Sequence, residues 1–243
     1  MQQSLMPLLF VLPFLSAAGA DEAQPARKTE ALFSDDFSAG MDRWWVEGGQ
    51  SVRVEDGRLH VAADPPAGEK GHVATVWCKQ PIDGDVRITC AAHVVSSSVE
   101  ANNINFFLFY SDPSGKPLEE TAPQRADADY RDYHELHGYI VTYLNGGRED
   151  ADSDNPRARI RIRRCPGFEL LEETFAHHCE AGRTYRFEIV RQGKRLTVRV
   201  DGKKLLEAED LEPHRSGHFG LRTFRTRLWW DDIRVERIEP ACR

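Results

Sequence analysis

From Asp35 onward, apolar and polar residues alternate with a period of two in short runs broken by Asp-Gly and similar pairs, the signature of half-buried β-strands. Residues 51–54, the Glu55-Asp56-Gly57 turn and residues 58–61 read as one hairpin. Residues 184–191, Gln192-Gly193-Lys194, residues 196–200 and Asp201-Gly202-Lys203 read as another chain of hairpins. Further strands are predicted over 73–77, 86–94, 104–110, 139–144, 158–163, 218–223 and 229–235. About a dozen short strands with no long amphipathic helix predict an all-β fold, a two-sheet antiparallel jelly-roll sandwich of the concanavalin A-like lectin/glucanase type. Residues 111–137 break the rhythm. They are polar, contain Asp112-Pro113-Ser114-Gly115, and read as a long excursion of the kind that is either functional or disordered.

The front of the chain has a different character. Residues 5–15 are apolar with two prolines, and Ser16-Ala17-Ala18-Gly19-Ala20 suits a signal peptidase cutting after Ala20, although residues 1–5 carry no Lys or Arg. The expected organisation is a signal peptide over 1–20, a polar leader over 21–30 and a single β-sandwich domain over 31–243, secreted or periplasmic. No apolar run outside the N-terminus is long enough to span a bilayer, so no membrane span is expected once the signal is removed. The 32 basic and 39 acidic residues give a net charge of -7, which argues against nucleic acid as a partner. Five cysteines (Cys78, Cys90, Cys165, Cys179 and Cys242) leave at least one without an intrachain partner. Cys78 and Cys90 flank Pro81-Ile82-Asp83-Gly84-Asp85 almost symmetrically, so a hairpin there would make them the best disulfide pair; Cys165 with Cys179 is a looser second.

Several residues carry candidate chemistry. Strand alternation puts Arg157, Arg159, Arg161 and Arg163 on one face and Ala158, Ile160 and Ile162 on the other. Such a line of guanidinium groups calls either for Glu residues on neighbouring strands or for a carboxylate-bearing polymer lying across the sheet. Asn103 and Asn105 project opposite Ile104 and Phe106, where amides hydrogen-bond sugar hydroxyls; Asn102-Asn103 also suits a turn entering the strand. Tyr139, Val141 and Tyr143 share a face that is either a sugar-stacking row or ordinary core. The stretch from Tyr130 through Arg131, Tyr133, His134 and His137 is the densest concentration of proton-transfer groups. No zinc spacing, GxSxG, P-loop, HExxH or dinucleotide fingerprint is present, and no metal or cofactor is expected beyond a calcium ion that Asp35-Asp36 or Asp231-Asp232 would suit.

The sequence resembles the YesU-like family, a group of unknown function with a concanavalin/galectin-type jelly roll. The resemblance rests on Ile104-Asn-Phe-Phe107, Tyr130-x-x-Tyr133-His134, Val141-Thr-Tyr143 and Arg161-x-Arg-Arg-x-Pro-Gly167-Phe168-x-Leu170. Gly217-His-Phe-Gly220-Leu-Arg222 and Trp230-Asp-Asp-Ile-Arg-Val235 extend it. It implies a polysaccharide or oligosaccharide ligand. Two functions are then expected as alternatives. In one, the protein is a secreted enzyme on an acidic polysaccharide, a polysaccharide lyase or related glycan-degrading enzyme. His134 and Tyr133 would be its catalytic pair, with Asn103, Asn105, Arg131, Tyr143, Arg161 and Arg163 binding the substrate. In the other, the same face is a noncatalytic, lectin-like binding surface.

Overall fold

The computed structural model describes residues 29–145 and 158–239; the expected signal peptide, most of the expected leader, Arg157 and Cys242 fall outside them. The chain enters through β1 (Thr29–Asp35), β2 (Trp44–Gly48), β3 (Ser51–Glu55), β4 (Arg58–Ala62), β5 (Val73–Cys78), β6 (Ile82–Asp83), β7 (Val86–Ser96) and β8 (Ile104–Ser111). After the excursion come β9 (His137–Asn145), β10 (Ala158–Cys165), β11 (Glu169–Thr174), β12 (Thr184–Gln192), β13 (Arg195–Val200), β14 (Lys203–Glu209), β15 (Ser216–Phe224) and β16 (Arg227–Ile238). They form two antiparallel sheets. The first has the order β14-β13-β12-β7-β16-β4-β3, with β1 also on β16; the second has the order β11-β10-β9-β8-β15-β5-β2, with β6 also on β15. The predicted jelly-roll sandwich is the observed fold.

Alternation decides what fills the space between the sheets. Ile104, Phe106 and Leu108 of β8, Tyr139, Val141 and Tyr143 of β9, and Ile160 and Ile162 of β10 face Val86, Ile88, Phe187, Ile189 and Val235 of the first sheet in one buried cluster. Tyr143 is therefore core rather than a ligand-stacking residue. It is 4% exposed, its hydroxyl donates to the His178 carbonyl at 2.9 Å, and its ring meets Tyr185 edge-on.

The expected Cys78–Cys90 bridge is also corrected. Cys78 lies in the second sheet and Cys90 in the first, and both are free, as are Cys165 and Cys179. The segment between Cys78 and Cys90 is not a hairpin turn. Its Ile82 and Asp83 pair with Gly217 and Ser216 while the chain crosses from one sheet to the other.

The second sheet buries part of its outer face as well. Trp77, Phe107, Tyr110 and Ile140 form a second cluster with Leu118, Ala128, Tyr133 and Leu136 of the excursion. The excursion has little regular structure beyond two short 3₁₀ turns, at Ala122–Arg125 and Tyr130–Tyr133. What holds it down is apolar packing and buried polar bonds.

Gly220 makes room for this arrangement. It pairs with Trp77 and Phe107, and a Cβ there would lie 2.6 Å from the Trp77 ring. A Gly220→Ala variant is expected to lose about 2 kcal/mol through overpacking, which urea unfolding would measure.

Candidate functional site

A line of polar residues crosses the whole outer face of the second sheet. Cross-strand register pairs Glu47 with Thr75, Thr75 with Arg222, Arg222 with Asn105, Asn105 with Thr142, Thr142 with Arg161 and Arg161 with Glu173. A polar residue on every strand of one row is costly unless each is paired, because sheet positions facing a covering segment are ordinarily apolar. The two ends of the row differ in how that cost is met.

At the Glu47 end the row is sealed. Glu47 is 2% exposed, and its carboxylate accepts from Arg125 Nη2 (3.1 Å), Trp45 Nε1 (3.4 Å), Trp77 Nε1 (3.0 Å) and the Tyr133 hydroxyl (2.6 Å). Arg222 donates to Thr75 Oγ1 (2.8 Å) and to the Ala128 carbonyl (3.0 Å). These bonds rivet the excursion to the sheet.

Tyr133, expected in the catalytic pair, belongs to this buried set. It is fully buried, and burial, followed by the Glu47 charge, pushes its phenol far above the ordinary tyrosine range. A hydroxyl committed to a carboxylate inside the cluster cannot reach a surface substrate, so the structure gives Tyr133 a structural place. Nothing in the sequence marks Glu47 as its partner, since a lone glutamate beside two tryptophans carries no motif.

The other end is more open and basic. Arg159, Arg161 and Arg163 occupy alternate positions of β10 on the outer face, roughly 6–7 Å apart along the strand. Arg161 is ion-paired to Glu173, and Arg159 lies 3.8 Å from the same carboxylate. Arg163 donates to the Phe168 carbonyl at 3.1 Å. Among the described residues, Glu173 is the one carboxylate ion-paired to this column of three guanidinium groups.

Aromatic rings from elsewhere converge on it. The Arg163 guanidinium lies 4.1 Å from the ring centre of Phe168, in the turn between β10 and β11. His134 stacks on Phe168 at 3.8 Å, and Tyr130 meets His134 edge-on at 4.8 Å. Arg222 lies 4.9 Å from the Tyr130 ring centre. The arginine column and the tyrosine/histidine cluster, distant in sequence, thus meet on one face through Arg163, Phe168 and His134.

Buried side-chain atoms on this face without a hydrogen-bond partner among the described residues include Asn105 Oδ1, His134 Nε2 and Arg159 Nε. The identity of the Asn105 atom follows from its neighbours. The Phe224 amide donates to Asn103 Oδ1 (3.1 Å), so that atom is an oxygen; it also accepts from Asn105 Nδ2 (2.9 Å), which leaves Asn105 with an unpaired acceptor. Both asparagines are buried, at 4% exposure, so they combine the two expected placements: Asn102 turns the chain with φ 43° and Asn105 stands on the outer face of the strand. Arg131 is apart from this set. Its side chain is 86% exposed and lies 3.5 Å from Asp129. Asp35 is also committed, to Trp44 Nε1 (2.9 Å) and the Phe37 amide (2.8 Å). Among the described residues no three His, Cys, Asp or Glu side chains are grouped to hold a metal ion.

Burial, then the charges of Arg222 and Arg163, lower the His134 pKa, so its imidazole is held neutral. An unfolded histidine binds its proton near pH 6.5, above the folded value, so this site loses stability as pH falls through about 6.5. His214, also lowered by burial, acts in the same direction. Thermal unfolding at pH 7 and pH 5 is expected to show a smaller acid-induced loss in His134→Gln than in the wild type.

The two antiparallel sheets place the chain among the jelly-roll sandwiches, and comparison with known proteins agrees. The chain belongs to the family described as Domain of unknown function (DUF6250), whose model matches residues 69–233. No curated protein sequence matches it. Among solved structures it is similar to a protein of unknown function with a galectin-like fold from Bacillus subtilis. That pair has a TM-score of 0.71 and 17% identity, covering 88% of this chain and all of that one. It is also similar to the carbohydrate-binding module CBM66 from Bacillus subtilis (TM-score 0.55, 12% identity, covering 81% and 96%). A third similar structure is the VIP36 exoplasmic/lumenal domain bound to Ca2+ and Man3GlcNAc (TM-score 0.61, 13% identity, covering 84% and 87%). At these identities the likeness is one of fold.

Proposed function

We propose that this protein binds an acidic polysaccharide across the open half of the polar row, between the arginine column of β10 and the Tyr130, His134 and Phe168 rings. The observation that carries the reading is the column itself, three guanidinium groups with one ion-paired carboxylate among the described residues. Guanidinium groups in a row bind carboxylates in bidentate pairs, and a uronate chain supplies carboxylates at regular intervals. The aromatic rings suit the apolar faces of pyranose rings. The carbohydrate-binding module and the Man3GlcNAc-bound VIP36 domain among the similar structures support a carbohydrate ligand. In this reading residues 1–20 direct export, and the likeness to the YesU-like family is one of shared fold and ligand class.

The test is affinity electrophoresis through gels containing polygalacturonate, alginate or a neutral glucan. Retardation is expected in the acidic gels and not in the neutral one, and its absence in every acidic gel would overturn the reading.

One observation favours a second reading, β-elimination. The partly exposed His134 ring is held neutral, and Tyr130 rather than Tyr133 stands beside it. Arg163 would neutralise the uronate carboxylate while His134 takes the adjacent carbon-bound proton. The carbon–carbon double bond forms as the glycosidic C–O bond breaks, and the Tyr130 hydroxyl protonates the departing oxygen. The unsaturated product absorbs in the ultraviolet. Its absence over a panel of uronate polymers would leave binding alone.

A further inference from the structure

A depression of about 650 Å³ lies at one end of the sandwich, away from the polar row. Three crossings between the sheets build it: Asp64 to Ala67 after β4, Ser96 to Val99 at the end of β7, and Arg225 and Arg227 where the chain passes from β15 into β16. Its size falls in the range of small-ligand sites.

The walls are cross-braced. Asp64 accepts from both the amide (2.7 Å) and the hydroxyl (2.6 Å) of Ser98, so each of its oxygens is occupied. The Ser97 hydroxyl donates to the Arg225 carbonyl (2.6 Å), and Arg225 Nη1 donates to the Pro65 carbonyl (3.3 Å). Arg225 itself sits at φ 46°, fixed by its amide on the His72 carbonyl (2.8 Å). A non-glycine residue held there is costly unless its surroundings determine it, and here they do.

The depression carries two guanidinium groups against one carboxylate. Arg227 is exposed and has no hydrogen bond or ion pair among the described residues. Pro65, Pro66, Ala67 and Val99 add an apolar lining. Cation, hydroxyls and an apolar surface together match a single acidic sugar residue. The position agrees, because β15 runs from Arg222 on the polar row past the exposed Phe224 to Arg225, about 10 Å along the chain.

We propose that this depression is a second binding site for a uronate residue, so that the domain holds an acidic glycan at two places. The inference takes its ligand class from the proposed function of the sheet face. Isothermal titration with trigalacturonate tests both. The wild type is expected to bind at two sites. Ala67→Trp, which fills the depression, and Arg227→Ala, which removes its free cation, are each expected to weaken one site at least tenfold. Arg161→Ala/Arg163→Ala is expected to weaken the other by at least the same factor. One wild-type site, unmoved by Ala67→Trp and Arg227→Ala and lost in the β10 double variant, would overturn the second site alone. One site lost only in Ala67→Trp and Arg227→Ala would uphold the depression and overturn the sheet-face reading. No binding at all would overturn both. Circular dichroism confirms that the variants fold, both residues being exposed.

Discussion

A Glu47→Ala variant is expected to unfold roughly 10 °C below the wild type in scanning calorimetry. The carboxylate is buried and holds four donors, one of them the guanidinium of Arg125, whose side chain is 3% exposed. Removing it leaves a buried cation without its anion and strands the Trp77 indole and the Tyr133 hydroxyl. Breaking a buried pair in this way costs about 3–5 kcal/mol, and each kcal/mol lowers the midpoint of a chain this size by about 2–4 °C. The excursion depends on the same bonds, so the Tyr130 and His134 rings should lose their positions as well. Limited proteolysis is then expected to cut first between residues 111 and 137. A variant with wild-type stability would show that apolar packing alone holds the excursion.

The second large effect concerns binding. Arg161→Ala/Arg163→Ala is expected to lower affinity for polygalacturonate about 100-fold, because each charge-assisted bond to a carboxylate is worth roughly 1.5–3 kcal/mol. Folding should be little affected. Both side chains are partly solvated, and loss of the Glu173 pair is a partly exposed event. Arg53→Ala/Arg195→Ala is the control, an equal loss of two charges at exposed positions of β3 and β13 on the other sheet, and it should leave affinity unchanged. Added salt should weaken wild-type binding more than that of the double variant, since fewer ion contacts remain to be screened. Equal affinity in the two proteins would remove the arginine column from the site.

The strands with a solvent side were legible because alternation there is the direct product of one wet and one dry face. Strands β1, β2, β6, β11 and β14 were given no range by the sequence. β2, β11 and β14 are edges of their sheets, and Glu169-Leu170-Leu171-Glu172-Glu173-Thr174 alternates poorly because it has one neighbour and little to bury. The arginine column was legible for the same reason as the strands, and the Tyr130–His134 stretch through its density of titratable groups. Whether a face turns inward or outward was not. Tyr143 and Asn105 both lie on regular strands, yet one packs between the sheets and the other stands on the outer polar row. Period two fixes which residues travel together, and only the partner sheet decides which set it covers. Pairing across the fold was illegible as well. Tyr133 meets Glu47 across 86 residues, and Cys78 and Cys90, twelve residues apart, belong to opposite sheets.

The most direct test of the sheet-face site is a heteronuclear NMR titration of the wild type with trigalacturonate, following backbone amides. The account predicts the largest shifts at Asn105, Thr142, Arg161, Arg163 and Phe168, with smaller ones at Arg225 and Arg227. Shifts confined to the outer face of the first sheet, or none at saturating ligand, would contradict it.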